Sequence, residues 1–216
     1  MKISKYLHSC LVFENDGFKL LIDPGNISFA EGFIGPDEFG DVDAIIITHI
    51  HPDHFDMEQL PKIMELSGAP VYTVQQVINE MAKAGLQAEF IPNKVGPFVI
   101  ESFAAQHELI MDNPLPEMAA LVIDGKVLHP VDSLAAELLK YQGIELVLLP
   151  IMAPFTNEPT VAKFADALAA KQVLPVHDGF AKPFFLKQRY AAYKKHFDRL
   201  GIVFHDSMVL GHTVEV

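Results

Sequence analysis

A chain of 216 residues that is half hydrophobic and only 20% charged can bury a substantial core, which excludes disorder and fits one domain, residues 1–216. A formal charge of −12 with only two arginines, Arg189 and Arg199, excludes a long nucleic-acid track, because phosphate backbones are bound by clustered Lys and Arg. The single cysteine, Cys10, has no partner for a disulfide or a thiolate site, so any metal must rest on His and carboxylates.

Met1 to Tyr6 carries two Lys without a following apolar run, and no later stretch is long and apolar enough to span a membrane. The expected location is therefore the cytoplasm. The first elements read as strands: Lys2 to Leu7, Cys10 to Glu14, a turn at Asn15-Asp16-Gly17, and Phe18 to Ile22 closing a hairpin. Asp23-Pro24-Gly25 ends it. Asn26 to Gly40, with Gly, Pro and no clean period, reads as a long loop, of the kind that is often functional; with Phe29, Phe33 and Ile34 it is expected to form a pocket rim.

Asp43 to Thr48 reads as a buried strand, and a helix follows over Leu60 to Ser67, with Pro61 acceptable only near its start. The periods then alternate: strand near Pro70 to Thr73, helix Val74 to Ala84, strand near Ala88 to Ile91, strand Phe98 to Gln106. A strand pair, Ala119 to Ile123 and Lys126 to His129, turns at Asp124-Gly125. Next come a helix Leu134 to Tyr141, a buried strand Glu145 to Pro150, a helix Thr160 to Ala170, a strand Gln172 to Val176, a helix Phe184 to Phe197, and short strands ending at Val216. Mixed strands with helices on their outer faces imply an α/β layered sandwich, two sheets between helices.

The chemical signal is Thr48-His49-Ile50-His51-Pro52-Asp53-His54, directly after Ala44-Ile45-Ile46-Ile47. Alternate residues of an extended chain point the same way, so His49 and His51 can share one metal, while a sharp turn brings Asp53 and His54 to a neighbouring one. Pro52 holds His51 extended. As a plain polar loop these groups, with no Lys or Arg among them, would repel one another when charged.

The sequence resembles the metallo-β-lactamase superfamily, whose signature His-x-His-x-Asp-His is matched by His49, His51, Asp53 and His54. That resemblance implies a four-layer αββα sandwich and extends over nearly the whole chain. Leu20-Leu21-Ile22-Asp23-Pro24-Gly25 looks like the early strand whose Asp buttresses the metal loop. His8-Ser9-Cys10 looks like a pattern of the ascorbate-6-phosphate lactonase-like branch, with Leu7 where that branch carries Gly. The family pattern further implies three ligands at strand ends: His107 for the first metal, Asp132 as the carboxylate bridging both, and His177 as the last ligand of the second.

The resemblance implies a hydrolase in which two divalent ions, Zn with Mn or Fe as alternatives, share a hydroxide that attacks a small ester, lactone or phosphodiester. Asp53 would ligate and accept a hydrogen bond from the nucleophile, and His177 would help stabilise the developing charge. The partner is then a small molecule; neither nucleic acid nor membrane is expected, and a homo-oligomer stays open. The alternatives are a nuclease, which would need a basic surface, and a redox or sensor protein of the flavodiiron type, which would replace a signature His with Glu and add a flavin domain. His196, His205 and His212 read as surface or structural, and His129 as either an inward structural group or a support of the site. Phe155 and Phe180 read as pocket walls, Cys10 as a small core hydrophobe, and Lys182 as a solvated Lys or a contact to a substrate anion.

Overall fold

The structure is a computed structural model describing residues 1–216. Strands β1 (Lys2–Lys5), β2 (Leu11–Asn15) and β3 (Phe18–Ile22) form an antiparallel meander. Asp16 and Gly17 sit alone between β2 and β3 with φ of 50° and 80°, the backbone that a two-residue type I′ hairpin requires and that Asp-Gly adopts at low cost. Strands β4 (Ala44–Ile46), β5 (Val71–Thr73) and β6 (Glu89–Phe90) then add in parallel. The second sheet contains β7 (Lys94–Val95), β8 (Phe98–Ala104), β9 (Ala119–Ile123), β10 (Val127–His129), β11 (Leu146–Pro150), β12 (Gln172–Val176) and β13 (Val203–Phe204). The last strand, β14 (His212–Glu215), returns to the first sheet beside β1. The strand orders are β14-β1-β2-β3-β4-β5-β6 and β13-β12-β11-β10-β9-β8-β7.

The central strands β4, β9 and β11 read as unbroken apolar runs because both of their faces are covered. Leu20 and Ile22 of β3 pack between the sheets, with Leu121, Leu146, Leu148 and Leu174 of the opposite sheet. Leu21, one residue out of phase, packs outward under α1 (Leu60–Ser67) and α2 (Gln75–Lys83). In the other sheet Val147 and Leu149 face α3 (Glu158–Leu168) and α4 (Pro183–Asp198). The layers run helix, sheet, sheet, helix, the αββα sandwich that the resemblance implied.

Several elements differ from the sequence reading. Asn26 to Gly40 contains two short 3-10 turns, Asn26–Ser28 and Pro36–Phe39. The expected helix Leu134 to Tyr141 is 3-10 over Ala136–Tyr141: Ser133 Oγ accepts from the Ala135 N–H and turns the chain first, and Gly143 follows at φ 80°. Helix α3 begins two residues early because Asn157 caps it, accepting from the Thr160 N–H at 3.1 Å with Pro159 in the first turn. Strand β7 was not expected; at two residues it is too short to show an alternation.

One buried ion pair ties the start of the chain to its second half. Lys5 Nζ on β1 lies 2.5 Å from Asp178 Oδ2, and Tyr190 Oη donates to the same oxygen at 2.6 Å. Burial pulls the Lys5 ammonium below the usual lysine value, against the Asp178 carboxylate, which pulls it up. Removing one partner of such a pair leaves a dry, uncompensated charge. Lys5→Met is expected to cost about 3–5 kcal/mol in urea unfolding, while Lys5→Met with Asp178→Leu recovers most of the loss.

Candidate metal centre

Strand polarity collects the centre at one rim of the sandwich. Strands β3 and β4 are parallel and end in Asp23 and the His49 loop; β10, β11 and β12 are parallel and end in Asp132, Met152 and His177. Strand β8 runs with β10, both being antiparallel to β9, so His107 arrives at the same end. In open α/β sheets the carboxyl ends of strands are where ligands bind. Here the sheets are stitched together at that rim: the Ala119 N–H donates to Thr48 O at 3.1 Å, and His49 bridges to Met118.

Seven residues singled out in the sequence converge there. His49, His51, His107 and Asp132 form one set whose ligand-type atoms lie within 4.8 Å of one another; Asp53, His54 and His177, with His8, form the other. Asp132 lies between them, its Oδ2 3.2 Å from His107 Nε2 and 3.4 Å from His54 Nε2, and its Oδ1 3.2 Å from His177 Nε2.

The imidazoles are oriented from behind. His107 Nδ1 donates to Glu108 O and His177 Nδ1 to Met152 O, each at 2.6 Å, and His54 Nδ1 donates to Asp23 Oδ2 at 2.8 Å. Thr48 Oγ1 gives its one proton to Asp23 Oδ2 at 2.7 Å, so it must accept from His49 Nδ1 at 3.1 Å. His54, His107 and His177 therefore turn a bare Nε2 inward, the tautomer of a metal-bound imidazole supported by a fixed acceptor, while His49 Nε2 lies 3.1 Å from His51 Nδ1. Asp23 accordingly buttresses the loop, and its other oxygen accepts the Thr48 N–H at 2.8 Å.

The fit to metal ions rests on what these atoms lack. His54 Nε2, His107 Nε2, His177 Nε2 and Asp132 Oδ1 are buried without a hydrogen-bond partner, a rare condition that calls for a missing ion or water. Without a cation, protons take its place. Burial opposes a charge on His177, but Asp132 and Asp53 raise it to about 9; burial likewise opposes a charge on His54, but Asp132 and Asp23 hold it well above the usual value. Burial disfavours the Asp53 carboxylate too, yet the His177 and His8 rings hold its carboxyl far below the usual range.

His8 is the residue that sequence reasoning left outside the site. Its Nδ1 accepts the Gly179 N–H at 3.1 Å, so the proton sits on Nε2, which donates to Asp53 Oδ2 at 3.1 Å. Burial and the neighbouring His177 push His8 down to about 4, keeping it neutral. One signal was available: a hairpin turning at Asp16-Gly17 must bring residue 8, at its far end, beside Asp23. His129 is fully buried, accepts the Val131 N–H and lies 4.0 Å from Asp23 Oδ2, behind the metal loop. Phe155 stands 5.5 Å from His107 and Phe180 5.3 Å from His177, centroid to centroid, so both wall the site. Lys182 is exposed, at the start of α4. The rim expectation needs correction at Phe29 and Ile34, which pack inward against the Phe39 core because the 3-10 turns fold this loop back on itself; only Phe33 stays outside.

Fold and centre define a metal-dependent hydrolase of the metallo-β-lactamase superfamily, and residues 2–177 match the beta-lactamase superfamily domain. Within it the chain belongs to the UPF0173 metal-dependent hydrolase family. A member from Ligilactobacillus salivarius is 30% identical over 191 residues, 82% of this chain and 84% of that protein. Protein Rv0786c of Mycobacterium tuberculosis is 28% identical over 193 residues, 85% of this chain and 86% of its own. Igni18, a metallo hydrolase from the archaeon Ignicoccus hospitalis, superposes with a TM-score of 0.69 at 25% identity, covering 99% of this chain and 97% of Igni18.

Gly25 packs so tightly on the metal loop that a Cβ there would stand 2.0 Å from the Asp53 carbonyl and 2.4 Å from His54 N. Gly25→Ala is expected to lower metal affinity at least about tenfold, the scale seen when groups supporting metal ligands are lost. Gly40→Ala, whose Cβ meets nothing closer than 3.4 Å, is the tolerated control. A second expectation follows from protonation. Below about pH 9 His177 carries a proton in the metal-free chain, which an incoming ion must displace. Affinity should therefore climb with pH through the neutral range. Calorimetry in buffers of different ionisation enthalpy would read the released protons; binding without release at pH 7 would contradict this account.

Proposed function

We propose that this chain is a dinuclear hydrolase of small esters, lactones or phosphodiesters, with zinc as the native ion and manganese or iron as alternatives. His49, His51 and His107 would hold one ion and Asp53, His54 and His177 the other, with Asp132 between the two sets. The observation that carries the reading is the set of buried Nε2 atoms, each fixed as an acceptor from behind and left bare in front. Two divalent ions in such a setting lower the pKa of a water toward neutrality and polarise a substrate oxygen.

The chain's own residues supply the rest. Asp53 is half-buried and ionised, held in place by His8, so that it can both ligate and accept a hydrogen bond from the attacking water. His177, locked by Met152 O, faces the space between Asp53 and Asp132 and completes the electrostatic environment of the developing oxyanion. Phe155 and Phe180 exclude water from two sides, which strengthens every charge interaction inside.

A small substrate is favoured over a polymer by the formal charge of −12. Phosphates beyond about 8 Å from the ions, roughly a Debye length, would meet an acidic surface. The likeness of His8-Ser9-Cys10 to the ascorbate-6-phosphate lactonase-like branch supports including lactones. We read the chain as one domain, 1–216, working in the cytoplasm.

Elemental analysis of reconstituted protein is expected to give close to two ions per chain, with Asp132→Ala lowering stoichiometry and activity together. A ceiling of one ion would sink the dinuclear assignment. A panel of lactones, bis(p-nitrophenyl) phosphate and unprocessed tRNA should show turnover of the small compounds, reduced about 100-fold or more in Asp53→Ala. RNA cleavage that depends on Asp53, with no activity on the small compounds, would overturn the reading in favour of a nuclease.

A further inference from the structure

Between the loop after β3 and the start of α4 lies a cavity of about 350 Å³. Its walls include Leu7, Ile27, Phe33, Phe180, Leu186 and Met208. The lining runs through Asp178, Gly179 and Phe180, the three residues directly after His177. The Phe180 ring that lines it also lies 5.3 Å from the His177 ring and 4.8 Å from the His8 ring, centroid to centroid. Cavity and metal centre thus share a single partition.

The floor decides what the cavity can hold. Lys5 is there, but its ammonium already has Asp178 at 2.5 Å, Tyr190 Oη at 3.0 Å and Ser207 Oγ at 3.5 Å, so its three protons are taken and no positive charge is offered to a ligand. The third charged residue of the lining, Glu31, is acidic and repels an anion. The lining, by contrast, carries exposed aromatics: Phe33 is 66% and Phe180 51% exposed. Large apolar side chains grouped in the open around a concavity mark a ligand groove, and the volume is at the small-molecule scale.

We propose that this cavity takes a neutral alkyl or aryl portion of the substrate, whose scissile group sits at the metal centre. The inference rests on the hydrolytic reading above for its scissile partner, and on the cavity alone for the apolar one. Burying a methylene contributes about 0.8 kcal/mol, so affinity should rise about fourfold per added carbon until the cavity is full. A space that held only solvent would give no such slope.

The test uses the zinc-reconstituted full chain. One arm measures kcat/KM on γ-lactones carrying n-alkyl groups from methyl to octyl, and on the matching alkyl 4-nitrophenyl phosphodiesters. The other measures binding of n-alkanols from butanol to decanol by calorimetry, with carboxylates of equal length as the charged comparison. The expected result is a log-linear rise with chain length in both arms. Ala181→Trp, which puts bulk into the cavity lining, should flatten both slopes. Phe33→Ala, at an exposed position, should weaken the octyl compounds selectively and covers the case in which the Trp variant fails to fold. Turnover that ignores chain length, or slopes unchanged in both variants, would overturn the cavity assignment and leave the hydrolase standing. Alkanol binding with the expected slope but no hydrolysis of any compound would support the cavity and defeat the hydrolytic reading. Neither binding nor hydrolysis would remove the cavity assignment.

Discussion

The structure turns on one electrostatic constraint: His49, His54, His107, His177 and Asp132 are dry, and ionisable groups cannot be dry without partners. The protein meets it by giving each ring a fixed acceptor behind, from Thr48, Asp23, Glu108 and Met152, and leaving the front to converge. Asp23, Asp53 and Asp132 sit among these imidazoles: against the cost of burial, the carboxylates raise His54 and His177, whereas at His8 and His129 burial outweighs them and pushes both down to about 4. A centre with such opposed shifts is set up to exchange protons for cations.

The location of the centre follows from how the sheets meet. The candidate ligands come from both sheets, and the sheets touch through backbone at Thr48 and Ala119 right beside His49. Neither sheet alone carries a complete set: His107, Asp132 and His177 belong to the second, the His49 to His54 loop to the first. Ion binding should therefore add to the cohesion of the sandwich, since any ion held by residues of both halves binds only their docked state.

What could be read from the sequence was whatever is written locally. The turn at Asp16-Gly17, helix Leu60–Ser67 and the His49 to His54 signature announce themselves within a few residues, and the strand-end positions of His107, Asp132 and His177 became legible through the family pattern. What escaped depends on chain closure. His8 acquires its place only when β1 and β2 bring it 3.1 Å from Asp53, 45 residues away. Phe29 looked like a rim aromatic because hydrophobicity marks a side chain as apolar without telling which side of a loop it faces. The helix expected at Leu134 lost its first turn to a single Ser133 hydrogen bond that no periodicity displays.

The least legible feature is also the one that rigidifies the centre. His8, Asp23, Val131 and His177 all adopt left-handed backbone, with φ between 49° and 59°. For a β-branched residue such as Val131 this is a genuine outlier, and such positions cost about 1–3 kcal/mol each, persisting only when the surroundings over-determine them. The surroundings here do so: His177 N–H donates to His8 O at 3.2 Å, Gly179 N–H to His8 Nδ1, and Asp23 holds both Thr48 and His54. Asp23, Val131 and His177 sit just past the ends of β3, β10 and β12, and His8 lies in the turn between β1 and β2. An ordinary extended or helical exit would carry the side chain along the strand axis or away from the seam. The left-handed step turns it back over the sheet ends, so that groups from separate strands meet within hydrogen-bond range of Asp53 and Asp132. Strain, tautomer and polarity are then parts of one device, in which the backbone conformation points the rings, the acceptors behind them choose the bare nitrogen, and the seam between sheets supplies the space that those nitrogens face.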